Sequence, residues 1–353
     1  MKDTKIFKIN KENINLYRLQ EAARVLKEEG SVVFPTETVY GLGGNIYSEK
    51  AILNIYKAKG RPSDNPLIVH IWNRVQLKEL TEEIPELAKI LMDKYWPGPL
   101  TIIFKKSSKV PDYITAGLDT VAVRMPENPI ALALLKEVDV PIAAPSANTS
   151  GRPSPTQGKH VVEDLSGKVD IILDGGDCKL GLESTVVDVY SNPIMILRPG
   201  RITLEDILQD IDNVVYDPSI MFLDKNIIPK SPGQKYKHYS PKGNLILFKG
   251  YEENIRREIS KSAEKFTEEG KKVLILSVKE NIKYYSKGII FNLGSKEEYE
   301  TISSNIFKAL RKADELNVDY ILSESFSEEG IGKAIMNRLI KASGGNIKRC
   351  GDR

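Results

Sequence analysis

Ser31-Val32-Val33-Phe34-Pro35-Thr36-Glu37-Thr38-Val39-Tyr40-Gly41-Leu42-Gly43-Gly44 is followed, one helix-like stretch later, by Lys57-Ala58-Lys59-Gly60-Arg61-Pro62-Ser63-Asp64-Asn65-Pro66-Leu67-Ile68-Val69-His70-Ile71. The apolar runs at each end read as short buried strands. Between them Ser48 is a natural N-cap, Ile52, Ile55 and Tyr56 keep helical spacing, and Gly60 stops the helix. A strand, a hydroxyl-rich small-residue loop, a helix, a cationic turn and a second strand make an α/β unit. Such an arrangement suits a site that holds a small polar molecule beside a polyphosphate.

Working outward, Asn15 can cap a helix whose apolar positions are Leu16, Leu19, Ala23 and Leu26, with Gly30 as its stop. Pro85 opens a helix that runs to Tyr95, and Trp96-Pro97-Gly98-Pro99 breaks it. Strands are predicted at Leu100 to Phe104, Thr120 to Arg124, Pro141 to Ala144, Asp170 to Leu173, Ser184 to Val189 and Ile194 to Leu197. Helices and strands mix without strict alternation, which predicts a mixed twisted sheet over residues 1–212.

Residues 213–243 change character: proline and glycine punctuate a linker whose centre is Gln234-Lys235-Tyr236-Lys237-His238-Tyr239. A cationic, aromatic centre is odd for an inert spacer, and long connections are often functional. Beyond it, Leu245 to Phe248, Val273 to Leu276 and Tyr320 to Ser323 read as buried parallel strands separated by charged helices. Residues 244–353 are therefore expected to form a smaller Rossmann-like parallel α/β domain.

The 353 residues are too many for one ordinary core, and 41% hydrophobic with 28% charged content describes packed globular domains. A net charge of only +3 argues against a general nucleic-acid-binding coat. Cys178 and Cys350 cannot make a disulfide framework, Met1 to Ile6 carries no signal-type apolar core, and no apolar run is long enough for a membrane span. A cytoplasmic location is the expectation. The three histidines His70, His160 and His238 form no metal-ligand pattern, and no Gly-Lys-Ser or Gly-Lys-Thr loop occurs. No protein-held metal is expected.

Several clusters carry chemistry, and each has an ordinary structural reading beside it. Lys59 and Arg61 can point at one polyanion, because Gly60 frees the backbone and Pro62 extends it; they can equally be cations at a solvated helix end. Ala144-Pro145-Ser146-Ala147-Asn148-Thr149-Ser150-Gly151-Arg152-Pro153-Ser154 is either a ligand loop after a strand or a turn-rich surface loop. Thr120 and Arg124 share a strand face, and Arg124 can clamp a carboxylate. Arg198-Pro199-Gly200 after a strand can clamp phosphate, although strand-end arginines are common surface residues. Gly330-Ile331-Gly332-Lys333 reads as a turn or a weak anion site.

In this order and spacing the segments resemble the YrdC-like family, and more narrowly its two-domain threonylcarbamoyl-AMP synthases. The marks are Pro35 to Gly41, Lys59-Gly60-Arg61-Pro62 with Pro66-Leu67, Ser146-Ala147-Asn148 through Ser154-Pro155-Thr156, Ser184 to Asp188 and Leu197 to Gly200. The linker Ser231 to Tyr239 and the ending Gly330 to Leu339 resemble the longer members. The resemblance implies a nucleotidyltransferase that makes threonylcarbamoyl-AMP and pyrophosphate from L-threonine, bicarbonate and ATP, the first step of threonylcarbamoyladenosine modification of tRNA. It places threonine near Thr38, His70, Arg124, Ala144 and Ser184. It places ATP near Lys59, Arg61, Asn65, Thr120, Ser146, Ser154, Arg198 and Tyr236, with Lys59 and Arg61 the catalytic cations. Mg²⁺ is expected to arrive with ATP. A downstream tRNA threonylcarbamoyl transferase and a weak tRNA contact are the implied partners.

The linker around Tyr236 is expected to fold over the nucleotide. The alternatives are an RNA-binding protein that uses the same basic cleft without nucleotidyl transfer, and a carbamoyl transferase that uses carbamoyl phosphate.

Overall fold

The computed structural model describes residues 2–221 and 238–351. Tyr236, and residues 222–237 of the expected lid, fall outside the described residues. Asn15 caps the helix Leu16–Lys27 by accepting from the Arg18 N–H, but Leu16 lies open to solvent. The buried stripe is Leu19, Ala22, Ala23 and Leu26, and the helix ends before Gly30 is reached. Ser48 caps Glu49–Lys59 through the Ala51 N–H, and Gly60 closes that helix in the left-handed conformation that a glycine adopts without strain.

Among the described residues the first sheet has eleven strands. Their order is Lys5–Lys8, Ile171–Asp174, Val32–Phe34, Gly41–Asn45, Ile142–Ala143, Ile68–His70, Thr120–Arg124, Leu100–Lys105, Thr185–Asp188, Ile194–Arg198 and Val214–Tyr216. Parallel and antiparallel neighbours are mixed, as the sequence predicts. Two differences stand out. Gly41–Asn45 is a strand rather than part of the loop, and Val214–Tyr216 extends the first sheet into the predicted linker by pairing parallel with Ile194–Arg198. Alternate residues face two cores. Val33, Leu42, Ile52, Leu100 and Val123 pack on one side, and Phe34, Leu26, Ile130 and Leu134 on the other.

The second sheet is parallel throughout, in the order Ile289–Asn292, Val273–Ser277, Tyr320–Glu324, Asn244–Gly250 and Ile347–Cys350. The helix Glu252–Glu268 covers one face, and the helices Tyr299–Glu315 and Ile331–Ala342 cover the other. The Gly330 to Lys333 segment is the start of the last of these helices, not a turn.

The two domains are joined by buried charge. Arg311, 1% exposed, grips both oxygens of Asp164 at 3.0 and 2.8 Å and the Pro153 carbonyl at 2.6 Å. Arg152 adds contacts to Asp164 and Asp314. Arg338, fully buried on the helix Ile331–Ala342, donates to Glu183 at 3.0 Å and to the Pro199 carbonyl at 2.7 Å. Val39 and Leu182 of the first domain lie in the apolar core of the second.

Candidate active site

Register brings the site together. His70 pairs with Arg124, Arg124 with Thr101, Leu100 with Thr185, and Val186 with Arg198. Because the pairs alternate in direction, the ends of five strands meet at one level of the sheet. A cavity of about 690 Å³, counted with its open mouth, sits there. Its wall brings together Thr38, Arg61, His70, Arg124, Ala144 and Ser146. Ser154, Ser184 and Arg198 complete the predicted residues in that wall.

The Thr36 hydroxyl donates to the Val39 carbonyl at 2.6 Å and accepts from the N–H groups of Thr38 and Val39. This local turn fixes the Thr38 hydroxyl, which accepts from Arg124 Nη1 at 2.8 Å. Arg124 also donates to the Gly98 carbonyl through Nε and to Glu37 through Nη2. Both members of the Arg124–Glu37 pair are 5% exposed. Three of the five guanidinium N–H groups are thus committed among the described residues, which fixes the plane of the group at the cavity wall.

His70 Nδ1 lies 3.3 Å from the Ile68 carbonyl, so that nitrogen carries the proton and Nε2 keeps a lone pair. Burial, reinforced by Arg124, lowers the imidazole to about 3. His70 is therefore a neutral acceptor. Ser184 accepts from Arg198 Nη2 at 2.9 Å and shares a hydrogen with Thr101 at 2.7 Å. Burial lowers Arg198 to about 10, which leaves it charged at neutral pH.

Other predicted residues fall outside the wall. The Lys59 ammonium lies beneath it and donates to the carbonyls of Ser146 and Asn148, the latter at 2.7 Å. Burial, then Arg61, pulls its pKa well down. In this state Lys59 is a strut under the Ser146–Asn148 loop, while Arg61 reaches the cavity. Asn65 is buried, and among the described residues neither polar atom of its side chain has a hydrogen-bond partner. Thr120 begins the strand that Arg124 ends, so the two share a face yet stand about 13 Å apart. Thr120 lines a separate hollow with Lys105, Lys106 and Tyr190. The apolar face between the two sites is built by Ile68, Ile103, Ala122, Val186 and Leu197.

The sequence reading gave no role to several groups that lie inside or directly beside the motifs quoted above, Glu183 opening the strand-start segment Glu183-Ser184-Thr185. Glu37 orients Arg124. Glu183 accepts from Ser154 at 2.6 Å and from Arg338. Burial alone would raise the Glu183 carboxyl, but Arg338 and Arg198 hold it below its ordinary value. Asn148, Arg152, His238 and Tyr239 also line the cavity. The last two bring the far end of the linker into the site. Tyr239 packs on Phe307 at 5.1 Å, and burial beside Glu183 raises it to about 12. What the sequence lacks is any sign that Arg338, in the second domain, reaches Glu183.

All three histidines sit near 3, each chiefly through burial: His70 with Arg124 nearby, His160 with Arg311, and His238 with Lys341. An unfolded histidine takes its proton near 6.5. Between those values the unfolded chain binds more protons, so stability falls as the pH falls. The expected slope is about 1.4 kcal/mol per pH unit for each histidine. Urea unfolding at pH 7, 6 and 5 measures it. A flat profile over that range would show that the histidines are not held neutral.

A family model described as "Telomere recombination", covering Sua5, YciO and YrdC proteins, matches residues 24–200. A second, described as "Threonylcarbamoyl-AMP synthase, C-terminal domain", matches residues 202–344. The chain is 47% identical to the threonylcarbamoyl-AMP synthase of Pyrococcus abyssi, over 96% of this chain and 97% of that one. It is 46% identical to the Bacillus subtilis protein of the same name, over 94% of each. A crystal structure of P. abyssi Sua5 complexed with L-threonine superimposes with a TM-score of 0.92 at 47% identity, covering 98% of this chain and 99% of that one.

Proposed function

The chain belongs to the Sua5/YrdC threonylcarbamoyl-AMP synthase family, and from that premise we propose that the cavity seats L-threonine at Arg124 with ATP toward Arg61 and Arg198. The reaction is nucleotidyl transfer: ATP and threonine yield threonylcarbamoyl-AMP. The observation that carries the assignment of residues is the meeting of Arg61, Arg124, Ser146 and Arg198, distant in sequence, in one wall.

Threonine's carboxylate takes the two remaining Arg124 donors. The Thr38 and Ser184 hydroxyls and the lone pair of His70 Nε2 orient its amine and hydroxyl. With bicarbonate as the carbon source, the unprotonated amine forms a bond to its carbon, a C–O bond breaks, and water leaves with an amine proton to give a carbamate. A carbamate oxygen then attacks the α-phosphorus, the bond to the β-phosphate oxygen breaks, and pyrophosphate leaves in line. The nucleophile is already an anion, so the second step needs no general base. A His70 near 3 fits an orienting role and not proton storage. Alignment and cationic screening by Arg61 and Arg198 supply the acceleration. Lys59 holds the Ser146–Asn148 loop against the nucleotide, Ser154 and Asn65 complete its environment in this reading, and Thr120, which lines the separate hollow, has no part in it.

The residues do not form a Mg²⁺ cage. Glu183 belongs to Arg338 and Ser154, and Glu37, behind Arg124, to that arginine. Among the described residues, no group of three or more acidic, histidine or cysteine side chains could hold a metal ion. In this reading Mg²⁺ arrives with the nucleotide substrate. No helix among the described residues is long and apolar enough to cross a membrane. A cytoplasmic site of action, transfer of the product by a separate tRNA threonylcarbamoyl transferase, and a weak tRNA contact belong to the same proposal.

The test is pyrophosphate release from ATP, Mg²⁺ and bicarbonate with each amino acid in turn. Threonine alone is expected to support it. Arg61→Ala should lower the rate about a hundredfold or more, and the exposed Lys57→Ala less than about twofold. Equal losses would mean that the wrong cation has been assigned to the nucleotide.

A further inference from the structure

The carboxyl edge of the second sheet has its own cavity. In that sheet Asn244–Gly250 and Tyr320–Glu324 are parallel neighbours. The first leads into the helix Glu252–Glu268 on one face, and the second into Ile331–Ala342 on the other. Adjacent strands whose following helices leave on opposite faces open a crevice at their carboxyl ends, the usual place for a ligand in such sheets. A cavity of about 690 Å³, counted with its mouth, lies there, between Gly250, Glu252, Asn281, Lys296, Glu324 and Ser325.

Its floor is chemically unusual. Glu324 is 3% exposed. Oε1 accepts from Ser277 at 2.7 Å and Tyr285 at 2.6 Å, and Oε2 accepts from Asn281 at 3.1 Å. All three donors are neutral, and among the described residues Glu324 makes no ion pair. The nearby cations serve another carboxylate: Lys296 and Arg256 both bridge to Glu252. A carboxylate offers about four acceptor directions, so one remains on Oε2. Arg256 also donates to the Asn281 amide oxygen at 3.3 Å, so cations stand near Glu324 without bonding to it. The remaining acceptor direction on Oε2 faces a donor that enters the crevice, and an ammonium meets a carboxylate there more strongly than a neutral donor does.

We propose that this crevice binds a small compound bearing a primary ammonium group. The ammonium donates to Glu324 and Glu252, and the Lys296 and Ser325 side of the mouth receives any carboxylate or hydroxyl that the compound carries. The site is separate from the cavity of the first domain and does not depend on the reading of that cavity.

The experiment uses the ¹⁵N-labelled full chain, titrated with ethanolamine, putrescine, glycine and lysine, with acetate as the probe lacking an ammonium. The amide resonances of Gly250, Asn281 and Ser325 are expected to move saturably with at least one amine and not with acetate. Glu324→Gln should weaken that binding about tenfold or more. Glu252→Gln, at the exposed mouth, should weaken it as well and guards against a folding defect in the first variant. The proposal is overturned if no amine moves those resonances, if acetate moves them equally, or if both variants bind as the unaltered chain does.

Discussion

Arg124→Lys is expected to cut threonine-dependent pyrophosphate release about a thousandfold, with the loss in kcat/KM for threonine and little change in KM for ATP. The guanidinium holds the Gly98 carbonyl, the Thr38 hydroxyl and Glu37 with three separate N–H groups and keeps a planar pair for the ligand. An ammonium keeps the charge beside Glu37, so the fold is not left with a bare buried carboxylate. It cannot reproduce the fork, and each charge-assisted hydrogen bond lost at the carboxylate costs about 1.5–3 kcal/mol. Steady-state kinetics with each substrate varied in turn decide the matter. An equal rise in KM for ATP would mean that Arg124 serves the nucleotide as well.

Arg338→Met should be the most damaging single change outside the first domain. The side chain is wholly buried, and its partner Glu183 is nearly so. Removing one member of a buried pair typically costs about 3–5 kcal/mol, whereas replacing both is often close to neutral. The double variant Glu183→Gln with Arg338→Met should therefore recover most of the stability that the single change removes. Urea unfolding of the two singles and the double closes the cycle. Additive losses would show that the pair is not coupled. Activity should suffer in the single variant, because Glu183 also anchors Ser154 and Arg338 holds the Pro199 carbonyl beside Arg198.

Most of the sheet is legible in the sequence because its central strands are apolar runs bounded by turn residues. Gly41–Asn45 is not, since Gly-Leu-Gly-Gly-Asn has no strand propensity. Its glycines serve close packing instead: a Cβ on Gly43 would stand 2.9 Å from Phe34, and one on Gly44 2.8 Å from Ile55. Val214–Tyr216 is hidden by the turn-rich stretch it opens. In the site, Arg124 and Arg198 follow from strand ends and residue chemistry, and Thr38 from the resemblance alone. Glu37 and Glu183 do not, because their meaning lies in partners 87 and 155 positions away in the chain. Lys59 shows what residue chemistry alone leaves out. Its neighbour Arg61 faces the cavity, but Lys59 is the last residue of its helix, and the left-handed Gly60 between them sends the two side chains apart, leaving Lys59 buried beneath the loop that it supports.

The arginine contacts that clasp the second domain bear on what a minimal fragment can be. A polypeptide stopped after Met221 would keep Asp164 and Glu183 without Arg311 and Arg338, and would bare Val39 and Leu182 to water. Such a piece inherits anions whose counterparts stayed behind and a greasy scar next to Thr38 and Glu183. Shortening this protein to one half would therefore demand resurfacing along the cut, with the orphaned acids neutralised and the apolar pair made polar, before the remainder could stand alone.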